Sequence, residues 1–158
     1  MAVLRVAHLG ICVRDLERSL RLYRDALGFL PLSEVQVSGD EAARLLRLPR
    51  VEQRTVFLER DGLRRALFAF AEPAPRGSGE PRAMNELGLA ALALRVDDLE
   101  ATAARCTEAG ARLLPETRTD HPGFGSKLVF LADPDGTLIE LIEIPGDPWR
   151  PFGTQIAR

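Results

Sequence analysis

The chain contains two imperfect copies of one segment, and this repetition constrains its fold more than any other feature. The stretch Val13–Glu17 (VRDLE) resembles Val96–Glu100 (VDDLE), and the two lie 83 positions apart. Further along, Asp61-Gly62 resembles Asp135-Gly136 at a spacing of 74 positions. A repeated sequence predicts a repeated structural unit. The smaller second spacing means that the first copy holds extra residues, which the segment 38–49 can supply.

Each copy predicts the same order of elements, namely a strand, a helix and three further strands. Short apolar runs bounded by polar or turn residues indicate the strands. Asp-Gly pairs between the last two runs of each copy favour tight hairpins. The predicted strands are Val6–Val13, Leu30–Val37, Val51–Glu59 and Leu63–Phe70 in the first copy, and Leu89–Val96, Arg112–Pro115, Lys127–Ala132 and Thr137–Ile144 in the second.

The helix boundaries are indicated by aspartates and glycines. Asp15 and Asp98 are suitable N-caps because a carboxylate can accept hydrogen bonds from the first-turn N–H groups. Gly28 and Gly110 stand where each helix should end, since glycine adopts the left-handed conformation found there. The inserted segment Asp40–Leu48 predicts an additional short helix with Asp40 as its cap.

The predicted order βαβββ occurs twice and indicates an α+β fold. A single unit of this kind leaves one sheet face uncovered, so two units should combine around a central cleft. We expect one domain, residues 1–158, with module 1 at about 4–72 and module 2 at about 87–144. A linker rich in proline and glycine spans about 73–86, and a tail follows at 145–158.

Composition and charge exclude several classes of protein. The net charge of -2 offers little attraction for nucleic acid or an anionic membrane. No apolar run approaches the roughly 20 residues of a membrane-spanning helix, and no secretory signal is visible. We therefore expect a cytoplasmic protein with no nucleic-acid or membrane partner. Cys12 and Cys106 are expected to be buried thiols and not a disulfide.

Three stretches resemble a known family. His8–Leu16 (HLGICVRDL), Tyr23–Phe29 (YRDALGF) and Phe130–Leu141 (FLADPDGTLIEL) are similar to the vicinal oxygen chelate superfamily of glyoxalases, bleomycin-resistance proteins and dioxygenases. The resemblance runs from about Arg5 to Glu143 and implies the two-module fold, a small organic ligand and a homodimer. It does not specify the reaction, because lyases, epimerases, dioxygenases, thiol transferases and antibiotic-binding proteins share this fold.

The resemblance also implies a set of metal ligands, of which this chain lacks half. Metal-using relatives take one ligand from the first strand and one from the last strand of each module. His8 and Glu140 occupy two of these positions, and the repeat spacings put Ala91 and Ala66 at the other two. Alanine has no donor atom, and a catalytic zinc site commonly has three protein ligands. We expect no metal or other cofactor; the alternative is a sparse divalent site (Zn, Ni, Mn or Fe) on His8 and Glu140.

Strand alternation extends the candidate site. Side chains two positions apart share a sheet face, so residues in step with His8, Ala66, Ala91 and Glu140 should line the cleft. His8 and Glu140 are the candidate catalytic residues. The candidate ligand-binding residues are Cys12, Arg64, Phe68, Arg95 and Ile142 on strands, with His121 and Phe124 on a flexible loop.

Two classes of function fit these residues. The preferred interpretation is a binding protein that sequesters a small, largely apolar metabolite without a metal, as in antibiotic resistance. The alternative is an enzyme of small-molecule or natural-product metabolism, a lyase, isomerase or cyclase. In that case His8 and Glu140 would exchange protons with the substrate, or hold a sparse metal. Arg64 or Arg95 would stabilise oxyanion charge beside a carbonyl.

Overall fold

A computed structural model describes residues 3–123 and 125–149. The chain divides into two compact units, Met1–Ser78 and Gly79–Arg158, and each is described by itself. No helix within the described ranges has the length and apolar character needed to cross a bilayer.

The first unit is a four-stranded sheet with a helix in its first connection. In chain order it contains β1 (Leu9–Val13), α1 (Leu16–Leu20) continued by a π-helical segment (Arg21–Ala26), β2 (Leu30–Ser38), α2 (Asp40–Leu46), β3 (Glu52–Arg60) and β4 (Leu63–Glu72). The strand order is β1-β4-β3-β2. β1 is parallel to β4, and the other neighbours are antiparallel.

The second unit repeats this arrangement. It contains β5 (Ala91–Val96), α3 (Leu99–Glu108), β6 (Arg112–His121), β7 (Ser126–Ala132) and β8 (Leu138–Glu143). The strand order is β5-β8-β7-β6, again with the first strand parallel to the last. The prediction of an α+β fold built from two βαβββ modules is confirmed.

The strand registers align the two modules residue by residue. Gly10 of β1 pairs with Ala66 of β4, and Ala93 of β5 pairs with Glu140 of β8. Gly10 and Ala93 are 83 positions apart, and Ala66 and Glu140 are 74 positions apart, as in the sequence repeat. The backbone position of Glu140 in the second module is therefore occupied by Ala66 in the first.

Two of the three predicted helix caps form. Oδ1 of Asp15 accepts a hydrogen bond from the Arg18 N–H, and Oδ1 of Asp98 accepts one from the Ala101 N–H, each at 2.9 Å. The third prediction is wrong, because the N-cap of α2 is Gly39, and Asp40 is the first helical residue without a cap hydrogen bond. Gly39 adopts φ +93, which is accessible to glycine and leaves Asp40 already inside the helix.

Both helices end at the predicted glycines. Gly28 has φ +70 and Gly110 has φ +98, so each leaves its helix in the left-handed region. In the first unit the backbone N–H of Leu27 donates to the Leu22 carbonyl just before this turn.

One face of each sheet packs against its helix and forms the apolar core of the unit. In the first unit Tyr23 and Leu67 are fully buried. The Arg65 guanidinium lies 5.0 Å from the Tyr23 ring centroid, so odd-numbered β4 residues face the helix. In the second unit the Leu99 N–H donates to Glu143, which puts that side of β8 against α3. We call the opposite face of each sheet its inner face.

The cysteines differ in environment. Cys106 is buried in the helix-side core of the second unit, and burial raises the pKa of its thiol to about 11. Cys12 is exposed on the inner face of the first unit. The expectation of two thiols without a disulfide holds, but the expectation that both are buried is wrong for Cys12, because even-numbered β1 residues face away from the helix.

Two predicted strand boundaries need correction. β1 begins at Leu9 and not at Val6, so His8 directly precedes the hydrogen-bonded strand. β6 continues from Arg112 to His121, where the sequence predicted a strand ending at Pro115 and then a loop. An irregularity in β6 interrupts the pairing with β7, and the Thr117 hydroxyl there accepts a hydrogen bond from the Phe130 N–H. This side-chain contact replaces a missing ladder bond and allows the strand to continue.

The caps provide a matched test of the first unit. Asp15→Ala should lower the free energy of unfolding by about 1 kcal/mol, because it removes a cap hydrogen bond. Asp40→Ala removes only a favourable charge near a helix N-terminus and should cost about 0.3 kcal/mol. Urea unfolding followed by circular dichroism measures both. Equal losses would contradict the assignment of Gly39 as the cap.

Candidate functional site

His8 lies among aromatic rings on the inner face of the first unit. Its imidazole meets Phe57 edge-to-face with a centroid distance of 5.2 Å, and Phe68 in the same manner at 6.1 Å. The side chain as a whole stays exposed. The rings therefore orient the imidazole while leaving it accessible to a small molecule.

Phe57 is a site residue that the sequence reasoning missed. It lies on β3, opposite Ala66 in the antiparallel register, and therefore on the same face as Ala66. Alternation within a strand predicts which residues share a face, but the identity of cross-strand neighbours depends on register. The Asp61-Gly62 turn, with φ 54 and φ 79, was the signal that could have fixed this register.

Gly10 allows the Phe68 ring to lie across β1. A Cβ atom at position 10 would fall 2.2 Å from Cε2 of Phe68, far inside van der Waals contact. Only glycine, whose side chain is a single hydrogen atom, leaves enough room at position 10 for the Phe68 ring. The glycine thus determines where the Phe68 ring lies and, through that ring, how His8 is oriented.

Ala66, which stands at the position of a missing metal ligand, is covered on the inner face. It is completely buried, and in the register it lies between Gly10 and Phe57. The aromatic side chains of Phe57 and Phe68 on this face cover the position.

Arg64 and Cys12 also lie on this face. Cys12 is opposite Phe68 in the β1–β4 register and is exposed. Arg64 is half-buried, and no hydrogen bond or ion pair joins its guanidinium to another residue within the described ranges. The inner face of the first unit thus combines an imidazole, a thiol, a guanidinium and two aromatic rings.

Glu140 is the ionisable residue at the centre of the inner face of the second unit. In the register it lies between Ala93 of β5 and Phe130 of β7, and it is half-buried. No residue that the structure describes donates a hydrogen bond to its carboxylate or forms an ion pair with it. Burial raises the pKa of Glu140 above its ordinary value, because the charged form loses water without gaining a partner.

The other predicted residues of the second unit have different environments. Ala91 is exposed, and Ile142, two residues after Glu140 on the same face, is buried with 7% of its surface exposed. His121 is the last residue of β6 and pairs with Ser126 across the hairpin. Phe124, predicted to contact the ligand, lies outside the described residues.

Arg95 has a structural role that the sequence did not indicate. Its guanidinium donates hydrogen bonds to the carbonyl oxygens of Ile144, at 3.0 Å, and Asp147, at 3.4 Å. These bonds tie β5 to the segment that follows β8. Arg95 therefore uses part of its donor capacity on the backbone, whereas Arg64 does not.

The donor set does not fit a three-ligand metal site. His8 and Glu140 are carried by different units, and the register puts Ala66 where the first unit would need a carboxylate. Across residues 3–123 and 125–149, no three His, Cys, Asp or Glu side chains form a group that could hold a metal ion. Two protein ligands fall below the usual number for a catalytic zinc.

A groove of about 360 Å³ lies elsewhere on the first unit, between the helix and strands β2 and β3. Arg54 crosses it and forms ion pairs with Glu34 and Glu17. It contains none of the predicted site residues. Because its central cation is already neutralised by two carboxylates, this groove is less suited to a polar ligand than the inner faces are.

Gly10→Ala should disturb the aromatic cluster. The added methyl group must displace the Phe68 ring, and overpacking of this kind costs about 1–3 kcal/mol. Adding Phe68→Leu should recover part of this loss, because it removes the clashing ring atoms. Chemical unfolding measures the free energies, and the NMR signals of the His8 ring should shift in Gly10→Ala.

Gly123→Ala serves as the control for that variant, because a Cβ there meets nothing within 4 Å. If Gly10→Ala lowers the free energy of unfolding equally in the wild type and in Phe68→Leu, the contact between the two residues is refuted.

Comparisons with known proteins agree with this geometry. Residues 5–141 match the family model described as the Glyoxalase/Bleomycin resistance protein/Dioxygenase superfamily. A 2-epi-5-epi-valiolone epimerase from an Actinomyces species is 30% identical over 151 residues, covering 92% of this chain and 82% of the relative.

Solved structures show the same fold. A glyoxalase family protein from Bacillus cereus superposes with a TM-score of 0.78 at 22% identity, over 92% of this chain and 97% of the other. The fosfomycin resistance protein FosX from Listeria monocytogenes, in complex with Mn(II) and sulfate, gives a TM-score of 0.56 at 15% identity, over 93% and 98%. The protein is thus a member of the glyoxalase/bleomycin resistance protein/dioxygenase superfamily.

Proposed function

We propose that the protein is an isomerase that moves a proton at a carbon beside a carbonyl group of a small organic molecule, with Glu140 as the base. The observation that carries this proposal is the half-buried Glu140 carboxylate, which no described residue pairs with. This gives the enzyme interpretation more support than the sequence alone could offer.

Desolvation makes Glu140 a better base than an exposed glutamate. Its pKa is raised by burial alone, so the carboxylate holds an abstracted proton more firmly. A general base is most effective when its pKa lies near the working pH. By contrast, Glu143 on the opposite face of β8 accepts a hydrogen bond from the Leu99 backbone N–H and pairs with Lys127, and both contacts lower its pKa.

The proposed reaction is a balanced proton exchange. Glu140 removes a proton from the carbon, and the bonding electron pair moves onto the carbonyl oxygen to give an enolate. Return of a proton from a water molecule to the opposite side of the carbon restores the carbonyl and inverts the centre, and Glu140 then gives its proton to the hydroxide left behind. No oxidant or reductant is consumed, and no step depends on a metal. His8 stays a prediction from the sequence as a second proton carrier.

The relative in Actinomyces narrows the substrate class. That protein is a 2-epi-5-epi-valiolone epimerase, and at 30% identity over most of both chains it is the best guide to chemistry among the comparisons. We therefore propose cyclic hydroxyketones as the substrates of this chain. The homodimer and the cytoplasmic location remain predictions from the sequence.

Exchange with heavy water tests the base directly. In D2O, the wild-type protein should incorporate deuterium into at least one of a panel of cyclic hydroxyketones that includes 2-epi-5-epi-valiolone. Glu140→Gln should reduce the rate by roughly 100-fold or more, the usual contribution of a general base. Proton NMR of the substrate measures loss of the signal at the reacting carbon.

Glu108→Gln is the control, because it removes an equal charge from an exposed position at the end of α3. The wild-type rate should fall as the pH drops through the raised pKa of Glu140, since only the ionised carboxylate accepts a proton. The proposal is contradicted if no ketone of the panel exchanges deuterium, or if Glu140→Gln leaves the exchange rate unchanged.

Sequestration of a small molecule is the second candidate. It is favoured by the two half-buried aromatic rings on the inner face of the first unit, which offer apolar surface to a ligand. A sequestering protein would release its ligand unchanged and without deuterium. Extraction of a bound ligand after long incubation in D2O therefore distinguishes the two candidates.

A further inference from the structure

We infer that Arg64 is the anchor for a carboxylate group on the ligand, so that the protein selects planar carboxylates over uncharged molecules of the same shape. The inference deepens the proposed function, and it rests on that function only in calling the bound molecule a substrate. It narrows the proposed substrate to a hydroxyketone that carries a carboxylate, in contrast to the uncharged 2-epi-5-epi-valiolone named for the relative.

Arg64 is a half-buried arginine of the first unit with no partner among the described residues, whereas the other arginines that lack a partner there, such as Arg44 and Arg47, are exposed. Arg54 is paired with Glu34 and Glu17, and Arg60 donates to the carbonyl oxygen of Leu27. The nitrogen atoms of Arg64 are not among the buried side-chain atoms that lack a hydrogen-bond partner. Solvent therefore reaches them, and their donors are open to a ligand that enters from solvent.

The nearest carboxylate in the register is engaged elsewhere. Glu59 is the cross-strand neighbour of Arg64 in the β3–β4 hairpin. Its Oε1 atom accepts a hydrogen bond of 2.8 Å from the Gly62 N–H, inside the turn. Glu59 thus stabilises the hairpin, and the guanidinium of Arg64 keeps its donors available on the inner face.

The surroundings of Arg64 suit a planar anion. Leu9 pairs with Arg65, so His8 lies level with Arg64 on the adjacent strand. The imidazole of His8 adds a possible second donor and is flanked by the Phe57 and Phe68 rings. The flat rings provide apolar surface for an unsaturated or cyclic group attached to the anion.

The shape of the guanidinium favours a carboxylate. Two parallel N–H groups of arginine match the two oxygens of a carboxylate, and such charge-assisted bonds are stronger than neutral ones. Half-burial strengthens the attraction further, because less water screens it than on an exposed surface. An uncharged amide of the same outline offers one oxygen acceptor and no charge. Selectivity should therefore follow from charge and not from size.

Benzoate and benzamide test this difference as probes of nearly equal shape. We expect benzoate to bind the wild-type protein roughly tenfold more tightly than benzamide, as measured by NMR titration of backbone amide signals. Arg64→Gln should abolish this preference while leaving weak binding of both probes. Arg64→Lys keeps the positive charge but loses the two parallel N–H donors, so it should give an intermediate preference for benzoate.

Arg44→Gln is the matched control, because it removes the same charge from an exposed position on α2. It should retain the full preference for benzoate. The amide spectrum of each variant also reports directly whether the variant is folded.

Three results would overturn the inference. These are equal binding of the two probes to the wild type, a benzoate preference that survives in folded Arg64→Gln, or tighter Arg64-dependent binding of phenyl phosphate than of benzoate. Glu140→Gln separates this inference from the proposed function. A protein that shows no deuterium exchange but keeps an Arg64-dependent benzoate preference would refute the isomerase and support the anion site.

Discussion

The parallel pairing of the first and last strands of each module is the constraint on which the rest of the structure depends. It aligns β1 with β4 and β5 with β8, although some fifty residues separate each pair along the chain. This pairing puts His8 level with Arg64 and Ala93 beside Glu140. Because a shift of one residue would turn every side chain to the other face, the register also determines which residues belong to the core and which to the inner face.

The two modules share a backbone plan but use their inner faces differently. Where the second module has Glu140, the first has the buried Ala66 surrounded by a glycine and an aromatic residue. The first face is rich in rings and has an unpaired cation, whereas the second has an unpaired anion between Ala93 and Phe130. The first inner face is therefore suited to binding an anion and the second to accepting a proton.

Much of the fold could be predicted from the sequence because its signals are local. Asp15, Asp98, Gly28 and Gly110 act on the chain within a few residues of themselves, and all four have the predicted roles. β6 was cut short in the prediction because its second half is polar and follows Pro115. Its continuation depends on a hydroxyl contact from Thr117 to the next strand, which no local pattern reveals.

The candidate site was less predictable because it depends on contacts across strands. The sequence indicated Arg64 and Arg95 as equivalent ligand-binding candidates, and only the folded chain distinguishes the two arginines. Arg95 is bonded to the backbone of Ile144 and Asp147, and Arg64 is not bonded to any described residue. Phe57 was missed for the same reason, since its place beside His8 follows from hairpin register and not from its own strand.

The state of the Glu140 carboxylate is the central claim, because the proposed chemistry requires a base that is desolvated and unpaired. The direct measurement is a pH titration of its side-chain carboxyl carbon by ¹³C NMR, assigned by comparison with Glu140→Gln. The account predicts a pKa above that of an ordinary glutamate, as burial without a partner requires. A pKa at or below the ordinary value would show that water or a cation stabilises the charged form, and would contradict the account.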